Sequence, residues 1–335
     1  MSLAQRGTST SSISSAGYYT VDRFKTNMTS AGAWTQSQST DVPTGQGFAK
    51  SLKMDCTTAN ASLSAGSFLI LHQFIEGQNL QYLKKGTSNA ESLTLSFWVK
   101  SNKTGTYIAE LFDEDNNRMI QKSYTISSAN TWEKKTLTFA GDTTGAFGND
   151  NGRSLALNFW LAAGSNFTGG LTTSWGSSGG SRAQGQVNLA DSTSNEWYVT
   201  GVQLEAGTAA SDFEFLPVDV NLQRCQRYLF AITSPNGQGN FGAGGFFSGT
   251  GADTAVHFPI QMRANYSMSY SALTDFRCTS HTASASPSAL ALNTSNALTS
   301  ARVRVTIGSS IGTAGNYALI YTNNSNAVLK FDAEL

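Results

Sequence analysis

Apolar and polar positions alternate with a period of two along most of the chain. In SLTLSFWVK, Leu93, Leu95, Phe97 and Val99 fall on one side, and Thr94, Ser96, Trp98 and Lys100 on the other, the pattern of a strand with one buried face. SLALNFWLA repeats it, setting Leu155, Leu157, Phe159 and Leu161 against Ala156, Asn158, Trp160 and Ala162. Each phrase puts a tryptophan opposite its leucines. Between them, TYIAELFD and MIQKSYTI flank the polar turn EDNNR and predict a hairpin, and TWEKKTLTFAG predicts a strand ended by glycine. SLKMDC and FLILHQFI upstream, and QGQVNLA and EWYVTGVQLEAG downstream, also read as strands. In the last, Trp197 and Val199 share a parity that Val202 and Leu204 do not, so a bulge is expected near Thr200 and Gly201.

Eight or so short strands without amphipathic helices predict an antiparallel two-sheet sandwich of jelly-roll type over residues 17–216, preceded by an arm over 1–16. The texture then changes. In FLPVDVNLQRCQRYLFAI, Pro217 and a capping Asp219 precede Val220, Cys225, Tyr228, Leu229 and Ile232 at roughly helical spacing, which predicts a linking helix over 217–233. After the turn SPNGQGN, strand-like pieces from GGFFSG to AVLKFDAEL predict a smaller β-sandwich over 234–335. The expected fold class is all-β, and 335 residues suffice for two cores.

Charge narrows the function classes. Lys and Arg together number 22, as do Asp and Glu, giving a formal net charge of zero with only 13% of residues charged. That balance removes the electrostatic case for nucleic acid or an anionic membrane surface. Cys56, Cys225 and Cys278 are odd in number and widely spaced, which suits small buried hydrophobes rather than a disulfide framework or zinc site. The N-terminal stretch lacks the apolar core of a signal peptide, and no apolar run is long enough to span a bilayer as a helix. Synthesis in a cytosol is the expectation.

Catalytic motifs match only out of context. GQGNFG has dinucleotide-binding spacing at Gly237, Gly239 and Gly242 but precedes strands instead of opening a helix. The G-x-S-x-G matches at Ser178 and Ser310 do not join a strand to a helix. Of the three histidines, His72 and His257 lie in apolar strand runs, and His281 brings no metal-binding spacing. Glu76, Glu110 and Glu205 lie in or near strands, and hydrolysis of a glycoside would require two such acids to converge. The turn at Asp113, Glu114 and Asp115 could hold a structural calcium, although its spacing is not that of a twelve-residue calcium loop. No cofactor and no catalytic residue is expected.

Trp98 and Trp160, with Asn158 and Lys100 beside them and Trp175 in the following loop, are the candidate ligand face. An aromatic ring flanked by amides and charged groups can stack on a sugar ring while its neighbours make directional hydrogen bonds. The alternative is that each tryptophan packs under a loop or against a neighbouring subunit, and AGSNFTGGLTTSWGSSGGSRAQG is long enough to fold over such a face.

The stretches RGTSTSSISSAGYYTVDRF, AESLTLSFWVKSNKTGTY, SYTISSANTWEKKTLTF and above all TGVQLEAG followed by CQRYL resemble the tail-fibre and appendage proteins of tailed bacteriophages, especially marine ones, over most of residues 5–230. The resemblance implies a jelly roll similar to carbohydrate-binding modules, assembly as a homo-oligomer such as a trimer, other virion proteins as partners, and a place on the virion tail or capsid surface. It implies attachment to host surface polysaccharide and brings no catalytic motif. The rival classes are a decoration or connector protein without a ligand, and an enzyme degrading host polysaccharide.

Overall fold

The computed structural model describes residues 1–335 except 235, 238 and 294–296. The described residues form two compact units, Met1–Phe215 with Leu335, and Leu216–Glu334.

The first unit contains β1 (Ser9–Ile13), β2 (Gly17–Tyr18), β3 (Phe24–Thr29), β4 (Ala33–Ser39), β5 (Ser51–Thr58), β6 (Phe68–Glu76), β7 (Leu93–Ser101), β8 (Gly105–Asp113), β9 (Arg118–Ile126), β10 (Glu133–Phe139), β11 (Arg153–Ala163), β12 (Gly176–Ser177) and β13 (Glu196–Ala206). They make a six-stranded sheet in the order β1-β4-β5-β13-β7-β10 and a seven-stranded sheet in the order β12-β9-β8-β11-β6-β3-β2, both antiparallel. The two repeated phrases build one strand each, in different sheets: β7 in the first and β11 in the second. Their leucines and phenylalanines fill one shared core, where the Phe97 and Phe159 rings meet edge to face at 5.0 Å. The recurrence thus has a simple cause: two facing sheets each need a long strand, paired on both edges, with the same inward side.

The β8–β9 hairpin forms in full register from Gly105↔Ile126 to Asp113↔Arg118. The bulge falls where parity requires it, between Thr200 and Gln203 of β13, and Gly201 has φ +59°. Two expectations are corrected. The arm over 1–16 is partly β1, which pairs with β4 because Ile13 reaches the core, 2% exposed. QGQVNLA does not form a strand: Asn188 accepts a hydrogen bond from the Ala190 amide and starts a short 3-10 turn over Leu189–Asp191.

The second unit opens with α1 (Val218–Gln226), followed by β14 (Leu229–Thr233), β15 (Asn240–Phe246), β16 (Gly251–His257), β17 (Ser267–Tyr270), β18 (Phe276–Thr279), β19 (Ser284–Ala285), β20 (Pro287–Leu292), β21 (Ser300–Ile307), β22 (Tyr317–Thr322) and β23 (Val328–Asp332). A three-stranded sheet, β14-β23-β17, and a seven-stranded sheet, β19-β18-β22-β15-β16-β21-β20, enclose a second core containing Phe241, Phe276, Val303 and Phe331. The helix is shorter than the 17 residues expected. Asp219 lies in its first turn without capping it, and from Leu229 the chain pairs residue for residue with β23, because this stretch gains a ladder and a core face together. The turn SPNGQGN lies partly outside the described residues. The three cysteines are buried free thiols, and burial pushes Cys56 and Cys278 up to about 11.

Candidate functional site

The five candidate residues divide between the two outer faces of the first unit. Trp98 and Lys100 stand on β7 of the six-stranded sheet, whereas Asn158 and Trp160 stand on β11 of the seven-stranded one. They do not form one site.

On the seven-stranded face the loop between β11 and residue 187 lies over the sheet. Trp160 is fully buried there among Ile70, Ile108 and Ala183, with Phe167 packed on it at 5.4 Å and the Arg182 guanidinium 5.2 Å from its ring. Asn158, 1% exposed, donates to Glu110 at 2.7 Å and makes a 2.5 Å hydrogen bond with His72 Nδ1. Gln121 and Arg182 also donate to Glu110, the latter from both Nε and Nη2, at 2.9 and 2.5 Å. The Thr172 amide donates to Gln121, and the Thr172 carbonyl accepts from the Gln121 amide. The loop thus supplies partners for the buried Glu110 and Gln121, while His72 Nε2 and Trp160 Nε1 stay buried without a hydrogen bond. Burial pushes the His72 imidazole down to about 4. Trp160 and Asn158 are therefore packing and network residues here, not an accessible ligand face. Trp175 does not join either tryptophan: it is half-buried, and its Nε1 donates to the Ala140 carbonyl at 2.7 Å, pinning the loop's far side.

The acids are similarly committed. Glu205 belongs to the six-stranded sheet and accepts from Ser211, so it cannot meet Glu110 on the opposite sheet. Glu76 lies four residues along β6 from His72, the residue level with Glu110 through Asn158, a separation of about 13 Å at the rise of a strand. At the proposed calcium turn, Asp113 is fully buried, paired with Lys85 at 2.5 Å, and accepts the amides of Asp115 and Asn116. Glu114 pairs with Arg153 and Asp115 accepts the Gly148 amide. Among the described residues no three acids, histidines or cysteines converge as a metal site.

The six-stranded face is covered at Thr94, Ser96 and Lys100, all buried, and opens only around Trp98. Trp98 is partly exposed between Thr200 of β13 and Lys134 of β10, its register partners. Across it runs the segment after β4, which turns at Gly45 and Gly47, both at positive φ, and delivers Phe48 onto Gly201. A Cβ at Gly201 would stand 2.5 Å from the Phe48 ring, so the bulge glycine both accepts the kink and makes room for the aromatic. Phe48, Phe213 and Phe215 then form a cluster with centroids 4.9 to 5.2 Å apart. Trp98, this cluster, Gln46, Lys134 and Asp212 line a hollow of about 220 Å³. Phe215 is 56% exposed, and neither Lys134 nor Asp212 has an ion-pair partner among the described residues.

Lys100, two residues along the same face, is buried to 8% exposure by a second group. Its ammonium pairs with Asp41 and lies 4.4 Å from the Tyr198 ring, with Trp132 5.7 Å away. Trp132 Nε1 donates to Asp41 at 2.9 Å. Partial burial alone would raise the Asp41 carboxyl, but the bonds from Lys100 and Trp132 outweigh it and hold the group below its ordinary range. Lys100 is thus a fixed strut beside the hollow rather than a free hydrogen-bond donor. Phe48, Phe213, Phe215, Trp132 and Tyr198 were not singled out from the sequence. The alternation of Asp212, Phe213, Glu214 and Phe215 past the end of β13 was the available signal, since apolar side chains at period two outside a ladder need cover of their own.

No protein-family model and no curated protein matches the chain. Among solved structures, it is similar to the enzymatically active domain of bacteriophage CBA120 tailspike protein 4, at 16% identity and TM-score 0.33, over 55% of this chain and 19% of that one. It is also similar to the family 11 carbohydrate-binding module of Clostridium thermocellum in complex with a β-1,3-1,4-mixed-linked tetrasaccharide, at 8% identity and TM-score 0.30, covering 61% of this chain and 98% of that one. The tandem CBM22 domains of Paenibacillus barcinonensis Xyn10C cover 92% of this chain and 91% of their own, at 9% identity and TM-score 0.27. Overlaps this loose carry no residue correspondences.

Proposed function

We infer that the chain is a virion appendage protein of a tailed bacteriophage that attaches to host surface glycan through the Trp98 hollow, without hydrolysing it. The observation that carries this reading is the hollow itself: a partly exposed indole where its sheet face opens, walled by aromatics, with an unpaired ammonium and an unpaired carboxylate on its rim. A ring that stacks on the sugar's apolar side and rim groups that bond its hydroxyls are the two parts such recognition needs. The ordered sequence resemblance supports the virion setting, and homo-oligomerisation, as a trimer for instance, would give many weak sites a high effective concentration. The committed state of Glu76, Glu110 and Glu205 supports binding rather than cleavage. A second reading, a connector without ligand, is favoured by the exposed Phe215, which a neighbouring subunit would cover well.

Binding of labelled protein to host cells and to their isolated polysaccharide separates the two. Attachment predicts saturable binding that Trp98→Ala abolishes with assembly intact. Loss of assembly in Trp98→Ala or Phe215→Ala, without any binding by the parent protein, supports the connector.

A further inference from the structure

Resting on the reading of the Trp98 hollow as a glycan site, we propose that the sugar it selects carries a methyl group against the phenylalanine wall: a deoxyhexose of the fucose or rhamnose type, or an N-acetylated hexosamine. The hollow is unevenly furnished. Its polar side chains, Gln46, Ser96, Lys134 and Asp212, share the lining with three rings, Phe48, Phe213 and Phe215, which offer neither donor nor acceptor. An ordinary hexopyranose carries a hydroxyl or hydroxymethyl on every ring carbon, and its remaining edge atom is the polar ring oxygen. Whichever of these faced the wall would leave water without gaining a partner. A methyl in that position loses nothing and buries apolar area.

Two glycines make room for the rings of the wall. Gly201 and Gly47 leave room for Phe48 and Phe215: the Phe48 ring lies 2.5 Å from where a Cβ would stand on Gly201, and the Phe215 ring 3.1 Å from that position on Gly47. Both glycines have positive φ, so a larger residue at either would be strained as well as crowding the rings. At about 220 Å³ the hollow suits one sugar ring, so selection falls on a single unit of the chain.

The test is a titration of the full-length protein followed on the Trp98 indole N–H resonance, assigned with Trp98→Phe. Matched sugars differ only at the methyl-bearing group: L-fucose against L-galactose, L-rhamnose against L-mannose, and N-acetyl-D-glucosamine against N-formyl-D-glucosamine. The proposal predicts that the methyl-bearing member of at least one pair binds about fourfold or more tighter, the worth of one buried methyl. Which pair responds tells the deoxy methyl from the acetyl. Phe215→Ala, at a position 56% exposed, is expected to bring the ratio of the two affinities within the responding pair to about one, whichever way the separate affinities move. Equal affinities within every pair would overturn the methyl preference and leave the glycan reading standing, as would a preference that survives in both Phe215→Ala and Phe213→Ala. No shift of the Trp98 resonance with any sugar would overturn both.

Discussion

Trp98 and Trp160 occupy the same place in the same phrase, each on the outward side of a central strand, and end in opposite surroundings. Trp160 is sealed: a glycine-rich loop lies over it, and that loop brings Phe167 for the ring and Arg182 for the buried Glu110 beside it. Trp98 is left open, because the segment that crosses its sheet carries Phe48 to Gly201 and so builds a wall beside the indole instead of a roof above it. The difference teaches that the strand fixes only which way a tryptophan points. What happens to it is decided by a connection made elsewhere in the chain, and here one connection made a second small core and the other made a hollow.

The comparison breaks most easily at the tryptophans themselves. Trp160→Ala is expected to cost about 3–5 kcal/mol of unfolding free energy in denaturant, as for a large buried aromatic, while Trp98→Ala, at the opening of the other face, should cost less than about 1 kcal/mol. Similar losses for the two would mean that the faces are not as different as described. Acid sharpens the contrast next. His72 is held neutral under the loop at about 4, below an unfolded value near 6.5, so the unfolded chain takes up a proton that the folded one refuses. Stability should therefore fall as pH drops from about 6.5 to about 4, by about 3 kcal/mol from this group. In His72→Asn that part of the pH dependence should vanish, as read from midpoints of urea unfolding across the range. Gly201→Ala should do less to stability, about 2 kcal/mol for a left-handed backbone without glycine. It should, however, displace Phe48 and weaken ligand binding at Trp98 beyond what that instability explains, which separates the wall from the fold.

Much of the frame was legible in advance for local reasons. Period-two alternation placed β7, β11 and the β8–β9 hairpin, and a parity conflict between Val199 and Val202 located the bulge of β13. The linking helix was drawn too long because Leu229 and Ile232 fit a helical spacing as well as a strand, and only pairing with β23 near the far end of the chain decides between them. The site was legible only in part. Trp98 was legible as an outward-facing indole, but the residues around it were not, since Phe48 meets Gly201 across more than a hundred residues and no local pattern announces it. The same reason placed Trp160 and Asn158 in the wrong company: the contact that seals them, Arg182 to Glu110, joins positions 72 residues apart. Lys100 faced the predicted way, yet Asp41, from a connection outside its own strand, had already taken its charge.

The central claim is that the open tryptophan, and not the sealed one, is where ligand is held. Affinity electrophoresis through gels containing isolated host polysaccharide tests it directly, with the parent protein, Trp98→Ala and the milder Trp160→Phe run side by side. The account predicts that the parent and Trp160→Phe are retarded alike and that Trp98→Ala runs as if no polysaccharide were present. Equal retardation of Trp98→Ala and the parent, or loss of retardation in Trp160→Phe alone, would contradict it.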